Sequence, residues 1–444
     1  MKDLTKGYPA KVIIMFTIPI MLGYILQQLY NLVDSKIVSE YVGPEALAAI
    51  GATAVISNTI IGFINGLTQG FAIPVANSYG AKDMERLRKN VAGAIILTLG
   101  AAVILTVLSL TYIEDILDAL GTPKDIKPDA LDYVNIILAG IILTAIYNCS
   151  ANILRAVGNS KIPLYCLMVA VVANIFLDIY LVKTLDMGIK GAAYATVIAQ
   201  AMSSISCATY IPLKYREILP KAKDFAPYSG MYGNLIATGL SMGLMGCIVN
   251  VGTIVLQSAI NDLGTHIITA HTASRRVFDI ICVMVYTFGI AMTTYVSQNM
   301  GAGKPERVRQ GVRHANIIVT VISTVLIGLV YLFARPVFQW VTSTTNPEIV
   351  DPSVMYARIS VLFFYALGPL FVFRCTLQGM GRKIVPLISS ITEMLVKVLS
   401  AALLVPAFAY KGVAFTEPIS WVLMTTILAT AYYTGKPEKY LKEE

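Results

Sequence analysis

The chain has 444 residues, of which 56% are apolar and only 14% are charged, whereas an average soluble domain carries charge on roughly a quarter of its residues. Apolar runs of about twenty residues recur along the whole length, which excludes a water-soluble fold and is typical of helices that cross a bilayer. The net charge of +8 does not indicate nucleic-acid binding, because Lys and Arg lie in short clusters between these runs, as in cytoplasmic loops.

The apolar runs predict six membrane-spanning helices in each half of the chain. The first run continues through polar Gln27 and Asp34 without a small-residue cleavage site, so we expect a first helix and not a removable signal. The first six predicted spans are 11–37, 46–78, 89–112, 131–156, 162–184 and 189–212. The other six are 231–259, 265–298, 311–334, 354–380, 385–408 and 412–434. The predicted fold is an all-α membrane protein of twelve helices in two six-helix bundles, residues 1–220 and 221–444.

Alternate loops differ in charge, which predicts the orientation in the membrane. One set of loops is basic and contains Lys82, Arg86, Arg88, Lys89, Lys214, Arg216, Lys221, Lys223, Lys304, Arg307, Arg309 and Arg313. The opposite set is poor in Lys and Arg and includes Glu114, Asp115, Asp118, Asp125, Asp129 and Asp132. Because Lys and Arg are retained in the cytoplasm, we expect a multi-pass protein of the plasma (inner) membrane with both termini cytoplasmic.

Polar residues in the first half recur on single helix faces within apolar surroundings. Gln27, Asn31 and Asp34 share one face of the first helix, and Asn174 and Asp178 are one turn apart on the fifth. Asp178 lies about 25 Å along its helix from the cytoplasmic start, at the level of Asp34. Further candidates for the same polar pocket are Tyr30, Asn58, Asn65, Gln69 and Thr196.

Two interpretations of these first-half residues stay open. A buried pair of carboxylates is expected to take up a proton or to hold a sodium ion. Alternatively, Asp34 reaches the outer interface and Asp178 pairs with a lone hydroxyl. Pro19 interrupts the first helix about four turns from Asp34 and removes a backbone hydrogen bond, which predicts either a hinge or a static bend.

The second half carries a different set of charges inside its predicted spans. These are Arg275, Arg276, Asp279, Arg374, Glu393, Lys397 and Glu417. Several are one helical turn apart, so they either pair with one another and fix helix packing or face a substrate cavity. We include Arg275, Arg276, Asp279, Glu393 and Lys397 among the candidate cavity residues, and their basic excess would favour anionic groups.

The two halves contain an internal duplication. GFAIPVANSYGAKDMERLRK aligns without a gap on AMTTYVSQNMGAGKPERVRQ, which places Gly80 on Gly301. LRAVGNSKIP pairs with LQGMGRKIVP, and KGAAYAT pairs with KGVAFTE. With six helices in each repeat, the halves are related by an axis along the membrane normal, a symmetry found in transporters that rock around a central site.

Taken in order, these motifs resemble the multidrug and toxic compound extrusion (MATE) family. The resemblance covers essentially the whole chain, including LYNLVDSKIVSEYVGPEALAAIG, both duplicated loops, RAVGNSKIP and NIFLDIYLVKTLDMGIKGAAYATVIAQ. It implies two six-helix bundles in a V-shaped arrangement and export of organic solutes or drugs in exchange for H⁺ or Na⁺. It also implies a cation site made by Asp34, Asn174, Asp178 and Thr196, with Pro19 as the bending proline. Other branches use an acid in the seventh helix, and residues 231–259 contain none.

Other function classes are weighed against secondary antiport. A flippase of the same superfamily would move a lipid-linked anionic headgroup past the basic second half. An enzyme would need a reactive cluster, but the three histidines are not at ligand spacing and the six cysteines lie singly in apolar segments. Transport through a passive channel would not depend on an ion gradient. Transport driven directly by ATP is not indicated, because the sequence contains no phosphate-binding loop motif. We expect a monomer in contact with lipid and a small organic substrate, with no cofactor and no metal beyond the coupling ion.

Overall fold

The structure, a computed structural model, describes residues 3–435, and within them all regular secondary structure is helical. In this part of the chain nine helices are long and apolar enough to cross a membrane, and two further pairs, bent by 40° and 53°, each qualify when taken as one span. The prediction of an all-α membrane protein built from two related halves is confirmed.

The first half contains seven helices that follow the predicted spans closely. They are α1 (Pro9–Tyr41), α2 (Pro44–Gly80), α3 (Met84–Ala119), α4 (Lys127–Ala139), α5 (Ile141–Ala156), α6 (Lys161–Asp178) and α7 (Gly188–Lys214). The predicted fourth span is the bent pair α4 and α5, which meet at Gly140. Helix α7 has 27 residues and occupies the place of the predicted sixth span. It is less apolar than the nine helices that qualify as spans by themselves.

The second half repeats this order. Its helices are α8 (Met231–Asn261), α9 (Thr265–Gly301), α10 (Pro305–Thr342), α11 (Pro347–Leu362), α12 (Phe364–Gly379), α13 (Ile384–Leu399), α14 (Val405–Phe408) and α15 (Tyr410–Thr434). The bent pair here is α11 and α12, which corresponds to the predicted tenth span. A π-helical segment joins α13 to α14, so these three elements form the predicted eleventh span.

Backbone features recur at corresponding places in the two halves, as a duplication requires. Gly158 after α5 and Gly381 after α12 both have positive φ, 84° and 79°, a conformation that glycine adopts without steric cost. A π-helical segment follows α6 at Ile179–Thr184, and another follows α13 at Ser400–Leu404. Such segments are rare and concentrate at functional sites, and the first begins directly after Asp178.

The chain forms two compact units, each with its own buried apolar cluster. Among the described residues, the first unit is Asp3 with Ile18–Gly243, and the second comprises Leu4–Thr17 and residues 244–435. Val38 and Leu138 belong to a cluster of the first unit, and Tyr356 and Val413 belong to one of the second. The chain therefore changes unit within α1 and again within α8, whereas the predicted division at residues 220 and 221 falls in the loop before α8.

Glycines allow α2 and α8 to approach closely inside the first unit. An added Cβ at Gly66 would lie 2.6 Å from the carbonyl oxygen of Met242, and one at Gly70 would lie 2.5 Å from that of Thr238. Gly239 and Gly243 face them, again four residues apart. This spacing is that of small-residue helix contacts in membranes, where backbones pack without intervening side chains.

Candidate functional site

A cavity of about 490 Å³ lies inside the first unit and is lined by polar residues of five helices, α1, α2, α4, α5 and α7. The i, i+3, i+4, i+7 spacing from residue 27 puts four polar side chains on one face of α1. The predicted polar residues that line the cavity are Gln27, Tyr30, Asn31 and Asp34 of α1, Asn58 and Asn65 of α2, and Thr196 of α7. The structure therefore brings seven of the sequence-predicted polar residues together in one place.

Asp34 and Asp178 form a buried acid pair beside this cavity. Only 9% of Asp34 and none of Asp178 is exposed, and the two carboxyl groups lie within hydrogen-bonding distance of each other. The Oδ1 atoms of both residues are buried without another hydrogen-bond partner. Two carboxylates so close repel each other unless a proton or a cation lies between them.

Asn174 and Thr196 hold the acid pair in place. The Asn174 side chain, oriented with Nδ2 towards Asp178, donates to Asp178 Oδ2 at 2.8 Å and accepts from the backbone N–H of Thr196 at 3.3 Å. The Thr196 hydroxyl is 3.1 Å from that of Tyr30. Asn174 and Asp178 of α6 are not part of the cavity lining. They are connected to it through their contacts with Asp34 of α1 and Thr196 of α7.

Two other predicted first-half residues have different positions. Pro19 is at one end of the cavity lining, two residues after α1 changes unit at Thr17. Gln69 lies further along α2 than Asn65 and is not part of the lining. Gln69 is thus separated from the polar residues with which it shares a helix face.

The cavity also contains residues that the sequence did not point to. Its lining includes Tyr133 of α4, Asn148 and Arg155 of α5, and Gln200 of α7. Arg155 stands in the motif RAVGNSKIP, which belongs to the duplication and to the MATE resemblance. A charged residue in the last turn of an apolar helix was an available signal for Arg155.

Several charges of the second unit form an ion-pair network. Lys397 Nζ is 3.0 Å from Glu393 Oε1, 3.3 Å from Glu417 Oε1 and 3.1 Å from Thr253 Oγ1. Arg275 lies 3.6 Å from Glu417, and Arg374 lies 3.8 Å from Glu393.

The predicted second-half residues differ in their burial and in their contacts with this network. Arg275 and Lys397 line a small cavity of about 20 Å³ together with Glu417. Asp279 pairs with Arg275 at 3.3 Å, and 48% of its side chain is exposed. Arg276 is also exposed. The buried members of the network are thus paired within the protein.

A scan of family models matches this chain to MatE over residues 19–180 and 242–403. The two matched stretches are of equal length and coincide with the two halves of the duplication. The first matched stretch contains both members of the acid pair, Asp34 of α1 and Asp178 of α6.

Curated relatives and solved structures match over nearly the whole chain. The "Probable multidrug resistance protein YpnP" of Bacillus subtilis is 26% identical over 97% of this chain and 96% of its own length. The "FAD transporter" of Shewanella oneidensis is 22% identical over 93% of this chain and 92% of its own length. A solved structure described as the outward-facing conformation of a multidrug resistance MATE family transporter has a TM-score of 0.89 at 25% identity, and the match covers 99% of this chain and 98% of that one.

Proposed function

The chain belongs to the MATE family of multi-pass membrane transporters, and on that premise we propose that it exports organic solutes or drugs in exchange for H⁺ or Na⁺ by alternating access. The observation that carries the proposal is the acid pair of Asp34 and Asp178, buried together beside a cavity of about 490 Å³. A cavity of this volume is within the range that holds small organic molecules. The relative named a multidrug resistance protein supports an organic substrate.

In the proposed cycle the coupling ion and the solute compete through one polar network. A proton or a sodium ion entering from outside neutralises the repulsion between Asp34 and Asp178. Binding of the ion changes the hydrogen bonds of Asn174, Thr196 and Tyr30, three residues that join α1, α6 and α7. Pro19 is the place where α1 bends in response, because a proline leaves one backbone carbonyl without its helical partner. Solute leaves as the network rearranges.

We also propose that both termini face the cytoplasm and that the chain acts as a monomer in the plasma membrane. Two sets of contacts support the orientation. Arg88 near the start of α3 pairs with Asp224 in the segment before α8 at 3.0 Å, which joins two of the basic regions. Lys304 and Arg307 donate to the backbone carbonyls of Thr5 and Gly7 at 3.1 and 3.0 Å, which ties the N-terminal segment to a third. Lys and Arg at this density mark the cytoplasmic side.

Efflux from proteoliposomes tests the antiport. A fluorescent organic solute is loaded, and an inward proton gradient and an inward sodium gradient are imposed in separate experiments. We expect one of the two gradients to drive efflux by the wild type, because each tenfold ion gradient supplies about 1.4 kcal/mol for every ion that enters. Asp34→Asn and Asp178→Asn should reduce the gradient-driven part to background, since neither amide can exchange the ion.

Asp125→Asn is the matched control, because this acid is exposed in the loop before α4 and lies outside the cavity lining. It should transport like the wild type. Efflux that responds to neither gradient would reject antiport, and full activity of both acid-pair variants would reject the site.

A further inference from the structure

Arg155 supplies a positive charge at the end of the first unit's cavity that is remote from the acid pair. It lines the cavity beside Tyr147, Ser160 and Pro163, at the point where α6 begins. Asp178 is the last residue of α6, about 25 Å away along that helix at 1.5 Å per residue. The cavity is therefore acidic at one end and basic at the other.

The guanidinium of Arg155 has no acidic counter-charge in the described part of the protein. Its Nη1 donates to Asn152 Oδ1 at 3.1 Å, and Asn152 in turn donates to Thr68 Oγ1 at 3.2 Å. Its Nε is buried and has no acceptor. Within residues 3–435 no carboxylate lies within 4.0 Å of this group and no backbone carbonyl accepts from it, so it does not cap the end of α5.

This state contrasts with that of the buried cation of the second unit. Lys397 is only 4% exposed, and two glutamates lie within 3.3 Å of its ammonium group. A charged side chain inside a membrane protein is costly and is found paired or facing a functional cavity. Arg155 lines a cavity but has no paired carboxylate. Its counter-charge is therefore left to be supplied by a ligand.

We infer that Arg155 binds an anionic group, a carboxylate or a phosphate, of the molecule that occupies the first unit's cavity. The guanidinium is planar, stays charged and presents donors in a fork that matches two oxygens of such a group. Asn152 and Thr68 fix the guanidinium through Nη1, and Nη2 has no acceptor among the described residues, so it is the donor left for the ligand. The inference rests on the proposed function only in placing the transported solute in this cavity, and it specifies that solute as an amphiphile with an anionic end.

Equilibrium binding of two matched dyes tests the inference without any transport. The probes are a xanthene dye with a free carboxylate and the methyl ester of the same dye, measured by fluorescence anisotropy on full-length protein in nanodiscs of zwitterionic lipid. We expect the wild type to bind the carboxylate dye more tightly. Arg155→Met should weaken the carboxylate dye about tenfold, the usual effect of a lost charge-assisted hydrogen bond, and leave the ester unchanged. Arg155→Lys should retain part of the preference.

Lys161→Met is the control, because Lys161 carries the same charge six residues away but is exposed and outside the lining. It should keep the preference. A second set of nanodiscs with anionic lipid identifies the source of the anion. A preference that survives there assigns Arg155 to a dissolved solute, and one that disappears assigns it to a lipid headgroup; both support an anion site.

Equal binding of the two dyes by the wild type overturns the inference. So does an Arg155→Met variant that loses both dyes to the same extent, since that is the result of a packing defect. The outcome is independent of the coupling mechanism. A protein that prefers the carboxylate dye but shows no gradient-driven efflux keeps the anion site and loses the antiport proposal.

Discussion

At the scale of single residues, Asp224 shows how backbone and side chain combine to stabilise a charge outside the membrane helices. It lies in the short segment Ala222–Phe225 and is fully buried. The backbone N–H of Lys221 donates to its Oδ2 at 2.8 Å, and Arg88 Nε donates at 3.0 Å. The Lys221 hydrogen bond and then the Arg88 guanidinium lower the pKa of Asp224 below its ordinary value.

This shift makes stability depend on pH in a definite direction. Because the pKa is lower in the folded state, the contribution of Asp224 is complete above the unfolded pKa of about 3.9 and is lost as the pH falls through the folded value. We expect Asp224→Asn to lower the unfolding midpoint in detergent by roughly 2–4 °C at pH 7, and the difference from wild type to shrink below about pH 4.

Glu85→Gln is the matched control, since Glu85 is exposed and pairs with Lys89 on the surface of α3. Such exposed pairs contribute little to stability. A difference between Asp224→Asn and wild type that grew on acidification would contradict the assigned role.

The residues of the acid pair were predictable because polar side chains at helical spacing stand out within apolar runs. Asp34 and Asp178 each share a face with an amide, which was visible in the sequence. Arg155 was not predicted because it is near a helix end, where a basic residue is usually exposed. Only the fold places its guanidinium inside the cavity beside Tyr147.

At the scale of elements, helix existence and order followed from the apolar runs, but helix shape did not. The bends at Gly140 and at Phe363, of 40° and 53°, fall inside runs that read as continuous spans. The π-helical segments after α6 and α13, IYLVKT and SAALL, contain no proline or glycine that would mark them in the sequence. Such features depend on tertiary packing, which hydrophobic periodicity does not encode.

The network around α13 gives a prediction at this scale. Lys397 balances Glu393 and Glu417, whose side chains are only 11% and 12% exposed. Lys397→Met would leave both carboxylates buried without their nearest cation, which costs about 3–5 kcal/mol for a broken buried pair. We expect a clearly lower unfolding midpoint in detergent.

Lys411→Met removes the same charge at an exposed position at the start of α15 and should leave the midpoint unchanged. Adding Glu393→Gln and Glu417→Gln to Lys397→Met should restore part of the loss, because the uncompensated charges are then removed. Equal midpoints for the two lysine variants would show that the network does not stabilise the fold.

At the scale of the whole molecule, a duplicated chain has been adapted differently in its two halves. Corresponding glycines and π-helical segments show the common origin, while the buried polar residues differ in character. The first unit holds an acid pair whose Oδ1 atoms receive no hydrogen bond from another residue. The second unit holds a lysine between two glutamates. This difference supports the proposal that ion coupling takes place in the first unit.

The most direct test of that proposal is to count the ions that the purified protein releases when it binds a solute. The measurement adds saturating solute to protein in weakly buffered detergent and follows pH and free sodium together. The wild type should release a proton or a sodium ion for each solute bound, and Asp34→Asn and Asp178→Asn should bind solute and release neither. Ion release by both variants equal to that of the wild type would contradict the account.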